Sequence, residues 1–167
     1  GNEDLDGFFH NDAVSYAENL FGKSYCYYLE ESKADIVCAF TVSNASIFTK
    51  YLPNARKKKV GKHVPHIKQD LIYPAVLIGR LGISTKFQHL HIGTEVIDFI
   101  KSWFVEPYNK TGCRYLVVDA YNEDVPVAFY KKNGFDFMFS TEEQEKSYRG
   151  IVSDKPLKTR LMYFDLI

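Results

Sequence analysis

The stretch from Ala75 to Trp103 constrains this chain most, because its hydrophobic pattern changes character partway through. AVLIGRLGI (Ala75–Ile83) is an apolar run of strand length that ends at a polar turn. Beyond the turn, Ile92, Val96, Phe99, Ile100 and Trp103 recur at three- and four-residue spacings, so they share one face of a helix. Between the two lies QHLHIGTE (Gln88–Glu95). Strand, tight loop and helix N-terminus together make an anion site. The first N–H groups of a helix lack internal partners, and the helix dipole adds partial positive charge there. Gly93 has no Cβ and lets a phosphate approach the backbone closely.

The remainder reads as a mixed α/β chain. At 167 residues it has the size of one domain, 1–167, and can bury roughly two-thirds of its unfolded surface. Asn11–Asp12 are cap candidates for a short helix carrying Val14, Ala17, Leu20 and Phe21. SYCYYLEE (Ser24–Glu31) and DIVCAFTVS (Asp35–Ser43) are aromatic and β-branched, and read as a hairpin. RYLVVDAY (Arg114–Tyr121) reads as a central strand. Asp124 and Pro126 open a helix that Asn133–Gly134 stops. FDFMFS (Phe135–Ser140) and LKTRLMYFDLI (Leu157–Ile167) read as closing strands around a polar loop or short helix.

The basic run NARKKKVGKHVPHIKQ (Asn54–Gln69) is open to two readings. It is either a solvated loop or a flexible arm whose Arg56, Lys57, Lys58, Lys59, Lys62 and Lys68 track an RNA backbone. His63 and His66 stand three apart but lack further clustered ligands, so no metal is expected. The formal net charge is zero, which gives no global push toward nucleic acid or an anionic membrane. Of three cysteines, Cys26 and Cys38 fall in strand-like runs and are expected to be buried, inert thiols. No run has the ~18 apolar residues of a membrane span, and no secretion signal is visible. A cytoplasmic protein is expected.

Two segments carry a resemblance. Gln88, His91 and Gly93 fall on the Gln/Arg-x-x-Gly-x-Gly/Ala loop of the GCN5-related N-acetyltransferases (GNAT), with histidine at the first glycine position. Downstream, VVDAYNEDVPVAFYKKNGFDF (Val117–Phe137) resembles the same family's fifth strand, fourth helix and following strand. Its Phe129, Tyr130, Lys132, Gly134 and Phe135 match an FYxKxGF ending. The opening GNEDLDGFF and the phrase LIGRLGI resemble the subgroup encoded as toxins beside small DNA-binding antitoxins.

The resemblance implies a GNAT-like mixed central sheet with splayed parallel strands four and five, flanked by helices. It implies acetyl-CoA (coenzyme A) as the acetyl donor, a primary amine as acceptor, an antitoxin as partner and a homodimer as assembly. The reaction needs proximity, oxyanion donors, a proton for the thiolate and removal of the amine's proton. On this reading the backbone of Leu81, Gly82 and Ile83 holds the pantetheine amide and polarises the thioester carbonyl. The backbone of Gln88, His89, Leu90, His91, Ile92, Gly93 and Thr94 wraps the pyrophosphate. Tyr130 is the general acid, Phe129 packs beside it, and Asn122 hydrogen-bonds the cofactor. No general base declares itself. The acceptor stays open among a small-molecule amine, a protein N-terminus and an aminoacyl-tRNA.

Two other readings use the same residues differently. A catalytically degenerate GNAT fold would act as a binding or regulatory module, with the His91 Cβ crowding the pyrophosphate; the intact Tyr130 argues against it. An RNA-binding protein without catalysis would rest on residues 56–68, where no aromatic pattern offers base stacking.

Overall fold

The structure is a computed structural model that describes residues 2–65 and 72–167. In chain order its elements are α1 (Glu3–Gly7), α2 (Ala13–Glu18), β1 (Lys23–Leu29), β2 (Ser32–Phe48), α3 (Asn54–Val60) and β3 (Ile72–Ile83). There follow α4 (Ile92–Val105), β4 (Tyr115–Tyr121), α5 (Asp124–Lys132), β5 (Asp136–Phe137), α6 (Glu142–Arg149) and β6 (Thr159–Asp165). The strands form one mixed sheet in the order β1-β2-β3-β4-β6-β5, flanked by helices. Two compact units share the chain: Gly1–Asn44 with Leu77–Asn109, and Ala45–Val76 with Lys110–Ile167.

In the first unit the helical course begins at α1, runs through a π-helical turn (Phe8–Asp12) and ends in α2. The expected start at Asn11–Asp12 is therefore too late. Asn2 caps α1, its side chain accepting from the Leu5 N–H at 3.1 Å, and Glu3, Asp4 and Asp6 complement the positive end of the helix dipole. Phe8 is buried and packs edge-on against Tyr16 at 5.5 Å, which draws the residues before Asn11 into the helix. The Arg80 guanidinium lies over the Phe8 ring at 4.2 Å.

The expected hairpin is present as β1 and β2, antiparallel with Tyr27 opposite Cys38. β2 outruns its expected end at Ser43 because alternation continues: Asn44, Ser46 and Phe48 face out while Ile47 is buried. Tyr25 stacks on Phe40 and meets Trp103 edge-on at 5.0 Å, while Tyr27 meets Phe99 edge-on. That inward use of Tyr25 and Tyr27 turns Cys26 to the opposite face, where it is exposed. Only Cys38 of the expected pair is buried, and burial raises its thiol pKa. α4 buries Val96, Ile97, Ile100 and Phe104, so of the predicted face Val96 and Ile100 are buried while Phe99 is exposed and packs on Tyr27. β3 leads to it through a short 3-10 turn, Thr85–Phe87.

In the second unit β4 is buried along most of its length, as a central strand with both faces covered should be. It pairs antiparallel with β6, which also pairs with β5. β5 is shorter than the expected Phe135–Ser140, because the Arg56 side chain binds the Phe137 and Met138 carbonyls. α5 stops where predicted, at Gly134. That residue has φ 84°, and a Cβ there would lie 2.9 Å from the Phe164 ring.

The basic run corrects both sequence readings where it is described. Asn54–Val60 is a helix, α3, and not a loop or arm. Arg56 is bound to backbone as above, Lys59 pairs with Asp136, and the buried Val60 offers its carbonyl to the Tyr115 hydroxyl at 2.7 Å. Lys68 and His66 lie outside the described residues. The polar stretch after β5 forms α6. Among the described residues no helix is long and apolar enough to cross a membrane.

Candidate active site

The site residues expected from sequence divide between the two units. In the first, Leu81, Gly82 and Ile83 end β3, each partly exposed, and Gln88 to Thr94 lead into α4. The turn between them is held at several points. The Ser84 N–H donates to the Val37 carbonyl at 2.9 Å, and Phe87 N–H to the Ser84 carbonyl at 2.8 Å. Lys86 pairs with Asp35 of β2 at 3.1 Å, and that hydrogen bond holds the Asp35 carboxyl below its usual range. The Gln88 amide reaches back to the Ile83 carbonyl at 3.4 Å.

His89 and His91 then adopt the left-handed conformation, with φ 64° and 61°. A Cβ makes this conformation costly, and histidine tolerates it better than most residues. His91 thus takes, with a side chain, a backbone conformation that glycine takes freely. It is the N-cap of α4, no side chain caps that helix, and its carbonyl accepts from Thr94 and Glu95 N–H at 3.0 and 3.2 Å. Left-handed residues beside an uncapped helix N-terminus are the parts from which backbone anion cradles are made. Both imidazoles are exposed, as is Leu90, whereas Gly93 lies in the first turn of α4.

A cavity of about 550 Å3 adjoins this turn. It brings Gly82, Ile83 and Gln88 together with Asp6, Asp35 and Lys86. The last three carry no motif that marks them as site residues in the sequence. Their recruitment depends on α1 and β2 meeting the end of β3, which no local pattern records.

In the second unit Asn122 follows the end of β4, and α5 carries Phe129 and Tyr130. The Tyr130 ring meets Phe129 and Phe135 edge-on at 5.1 and 5.4 Å. Burial pushes its hydroxyl up to about 12, so the phenol keeps its proton at neutral pH. Asn122 is occupied differently from the expectation. Its amide nitrogen donates to Glu142 at 2.8 Å and to the Leu157 carbonyl at 2.9 Å, and Glu142 also accepts from the Leu157 N–H. Both amide hydrogens therefore serve to tie α6 and the segment before β6 to the end of β4.

Among the described residues no three His, Cys, Asp or Glu side chains group to hold an ion, and His63 is exposed.

No family model and no curated protein matches the chain. Solved structures do. AtaT complexed with acetyl-methionyl-tRNAfMet is 19% identical over 99% of this chain and 83% of its own, with a TM-score of 0.65. A tyrosine-to-phenylalanine mutant of KacT is also 19% identical, over 99% of this chain and 84% of that one, with a TM-score of 0.65. AtaTR bound with AcCoA aligns at 19% identity over 99% of this chain and 83% of that one, TM-score 0.63. The chain has the fold of these proteins, the GNAT fold that the two sequence segments implied.

Proposed function

We propose that the chain is an acetyl-CoA-dependent N-acetyltransferase that moves an acetyl group to a primary amine by direct attack, and that its acceptor is an aminoacyl-tRNA. One observation carries the reading: His91 keeps the left-handed conformation, φ 61°, at the point where the family pattern has glycine. A chain that had lost the cofactor would gain by relaxing that residue. The fold it shares with AtaT and KacT supports the same reading, as does the AtaT complex with acetyl-methionyl-tRNAfMet.

Bound acetyl-CoA supplies an acetyl group activated as a thioester. The backbone of Leu81, Gly82 and Ile83 orients the pantetheine arm and the carbonyl. The backbone from Gln88 to Thr94 holds the pyrophosphate, with neutral Gln88 adding a hydrogen bond where an arginine would add charge. Tyr130 is the general acid, donating from its hydroxyl to the departing sulfur. With its pKa near 12 and an ordinary thiol near ~8.5, it stabilises the thiolate chiefly as a hydrogen-bond donor. Phe129 fixes the ring. An α-amine is acidic enough to lose its proton to water, so the absence of a declared base is no obstacle. Residues 1–167 act as one transferase domain in the cytoplasm. The AtaT toxin bound to the C-terminus of the antitoxin AtaR supports an antitoxin partner here, and the family's habit supports a homodimer.

Calorimetry with acetyl-CoA tests this on the wild type and on His91→Gly. Micromolar binding by the wild type, equal or tighter in the variant, is the expected result. Binding that appears only in His91→Gly would mean that the imidazole position has closed the loop, and the protein would be a binding module on a transferase fold.

A further inference from the structure

A groove of about 920 Å3 opens on the second unit, lined by Phe48, Tyr51 and Tyr148 together with Glu143, Gln144 and Ser147. Its aromatic residues are unusually open, with Phe48 at 41%, Tyr51 at 62% and Tyr148 at 37% exposure. Phe48 and Tyr51 are tilted with their centres 6.5 Å apart, so neither ring covers the face of the other. Tyr148 leans on the buried Phe139 at 4.9 Å, which holds that ring in place.

The lining residues Leu52 and Pro53 lead in sequence directly into the basic segment. Lys50 sits over the Tyr51 ring at 5.9 Å, and α3 follows within three residues of Tyr51. Arg56 and Lys59 are spent on backbone carbonyls and on Asp136. Lys50, Lys58 and Lys62 are exposed.

We propose that this groove takes an unstacked base of single-stranded RNA, with Lys50, Lys58 and Lys62 on the flanking phosphates. Every base has a π-face, so stacking on exposed aromatic rings is tolerant of sequence. The carboxylate of Glu143 accepts from base N–H groups and the Gln144 amide donates to base acceptors. Hydrogen bonds from its own backbone N–H and from Thr141 keep the Glu143 carboxyl below its usual range. An apolar peptide would leave the Glu143 carboxylate without a donor and would gain nothing from the lysines. A base with phosphates on either side suits both. The chain's zero net charge does not oppose this, because phosphate contact depends on local cations within about a Debye length. The inference deepens the reading of an aminoacyl-tRNA acceptor and rests on it.

The test is fluorescence anisotropy of a labelled single-stranded RNA hexanucleotide between 50 and 200 mM salt, on the full chain. Tyr51→Ala is expected to weaken binding about 5- to 150-fold with the salt slope unchanged, and Tyr51→Phe to restore it. Lys58→Gln with Lys62→Gln is expected to lower the slope by about 1.4. Wild-type affinity in Tyr51→Ala, or equal loss in Tyr51→Phe, would overturn the proposal, as would no RNA binding at 50 mM salt. Acetyl-CoA calorimetry on the same proteins separates the two readings. RNA binding through Tyr51 without acetyl-CoA binding would sink the transferase and leave the groove standing. Acetyl-CoA binding with an indifferent Tyr51 would do the reverse.

Discussion

The turn before α4 and the cluster beneath α6 treat polar groups in opposite ways. Glu145 is fully buried, yet each of its oxygens is used. One accepts from Arg149 at 2.6 Å and the Leu161 N–H at 2.7 Å, the other from Arg160 at 2.8 Å. The turn before α4 is exposed, holds two histidines in the left-handed region, and leaves the helix without a side-chain cap. A buried charge persists only when its partners are complete, because desolvation is costly. An exposed turn can carry backbone strain if the rest of the fold supports it, and such strain gathers where a ligand is held. The first region is closed by its own partners, and the second leaves backbone groups open, as the proposed cofactor site requires.

The largest effect expected from breaking this contrast lies at Glu145. Glu145→Ala takes from the buried Arg160 its carboxylate partner, while Arg149 keeps Asp119, and should cost about 3–5 kcal/mol, read as a lower midpoint in urea unfolding. Tyr130→Phe should lower turnover by about 100-fold while leaving the unfolding midpoint within about 0.5 kcal/mol of wild type. Its hydroxyl has no hydrogen-bond partner among the described residues, so the fold loses little. Unchanged turnover would remove Tyr130 from the mechanism. Thr141→Ala removes the α6 cap, whose hydroxyl accepts from the Gln144 N–H at 3.3 Å, and should cost about 1 kcal/mol by the same unfolding assay. At the strained turn the sign reverses. His91→Gly should cost nothing and raise stability by a few tenths to about 1 kcal/mol, since relief of the left-handed conformation competes with added chain entropy. A marked loss there would mean that the imidazole makes contacts beyond its backbone.

Alkaline titration sharpens the picture further. Burial raises both Tyr130 and Tyr115 to about 12, above the ordinary phenol near ~10. A group whose folded pKa is raised favours the fold below its unfolded pKa, and that contribution is lost as pH rises through the folded value. Stability should therefore fall between about pH 10 and pH 12. Phenolate absorbance should show late-titrating tyrosines, with one fewer in Tyr130→Phe.

Much of this is legible in the sequence where a short-range rule applies. The apolar strand before Ser84 and the helical face from Ile92 are periodic patterns, and Gly134 is required by a turn. α6 is only half legible, although Thr141 and Gln144 stand at capping-box spacing, a signal that fixes its start. The basic run misleads because charge hides the helix: Val60 is buried and Arg56 reaches the Phe137 carbonyl, far along the chain. Asn122 matches a family position, yet its amide hydrogens are taken by Glu142 and Leu157.

By itself the sequence determined the order of the main strands with α4 and α5 between them, the strand–turn–helix with its anion-binding potential, and the tyrosine on α5. These depend on the period of side chains along an element and on caps and stops within a few residues. Only the tertiary structure decided that His91 stands left-handed, that Glu145 is buried between two arginines, and that Phe48, Tyr51 and Tyr148 line one groove. Each depends on residues distant in the chain being brought into contact, where desolvation and packing outweigh local preference.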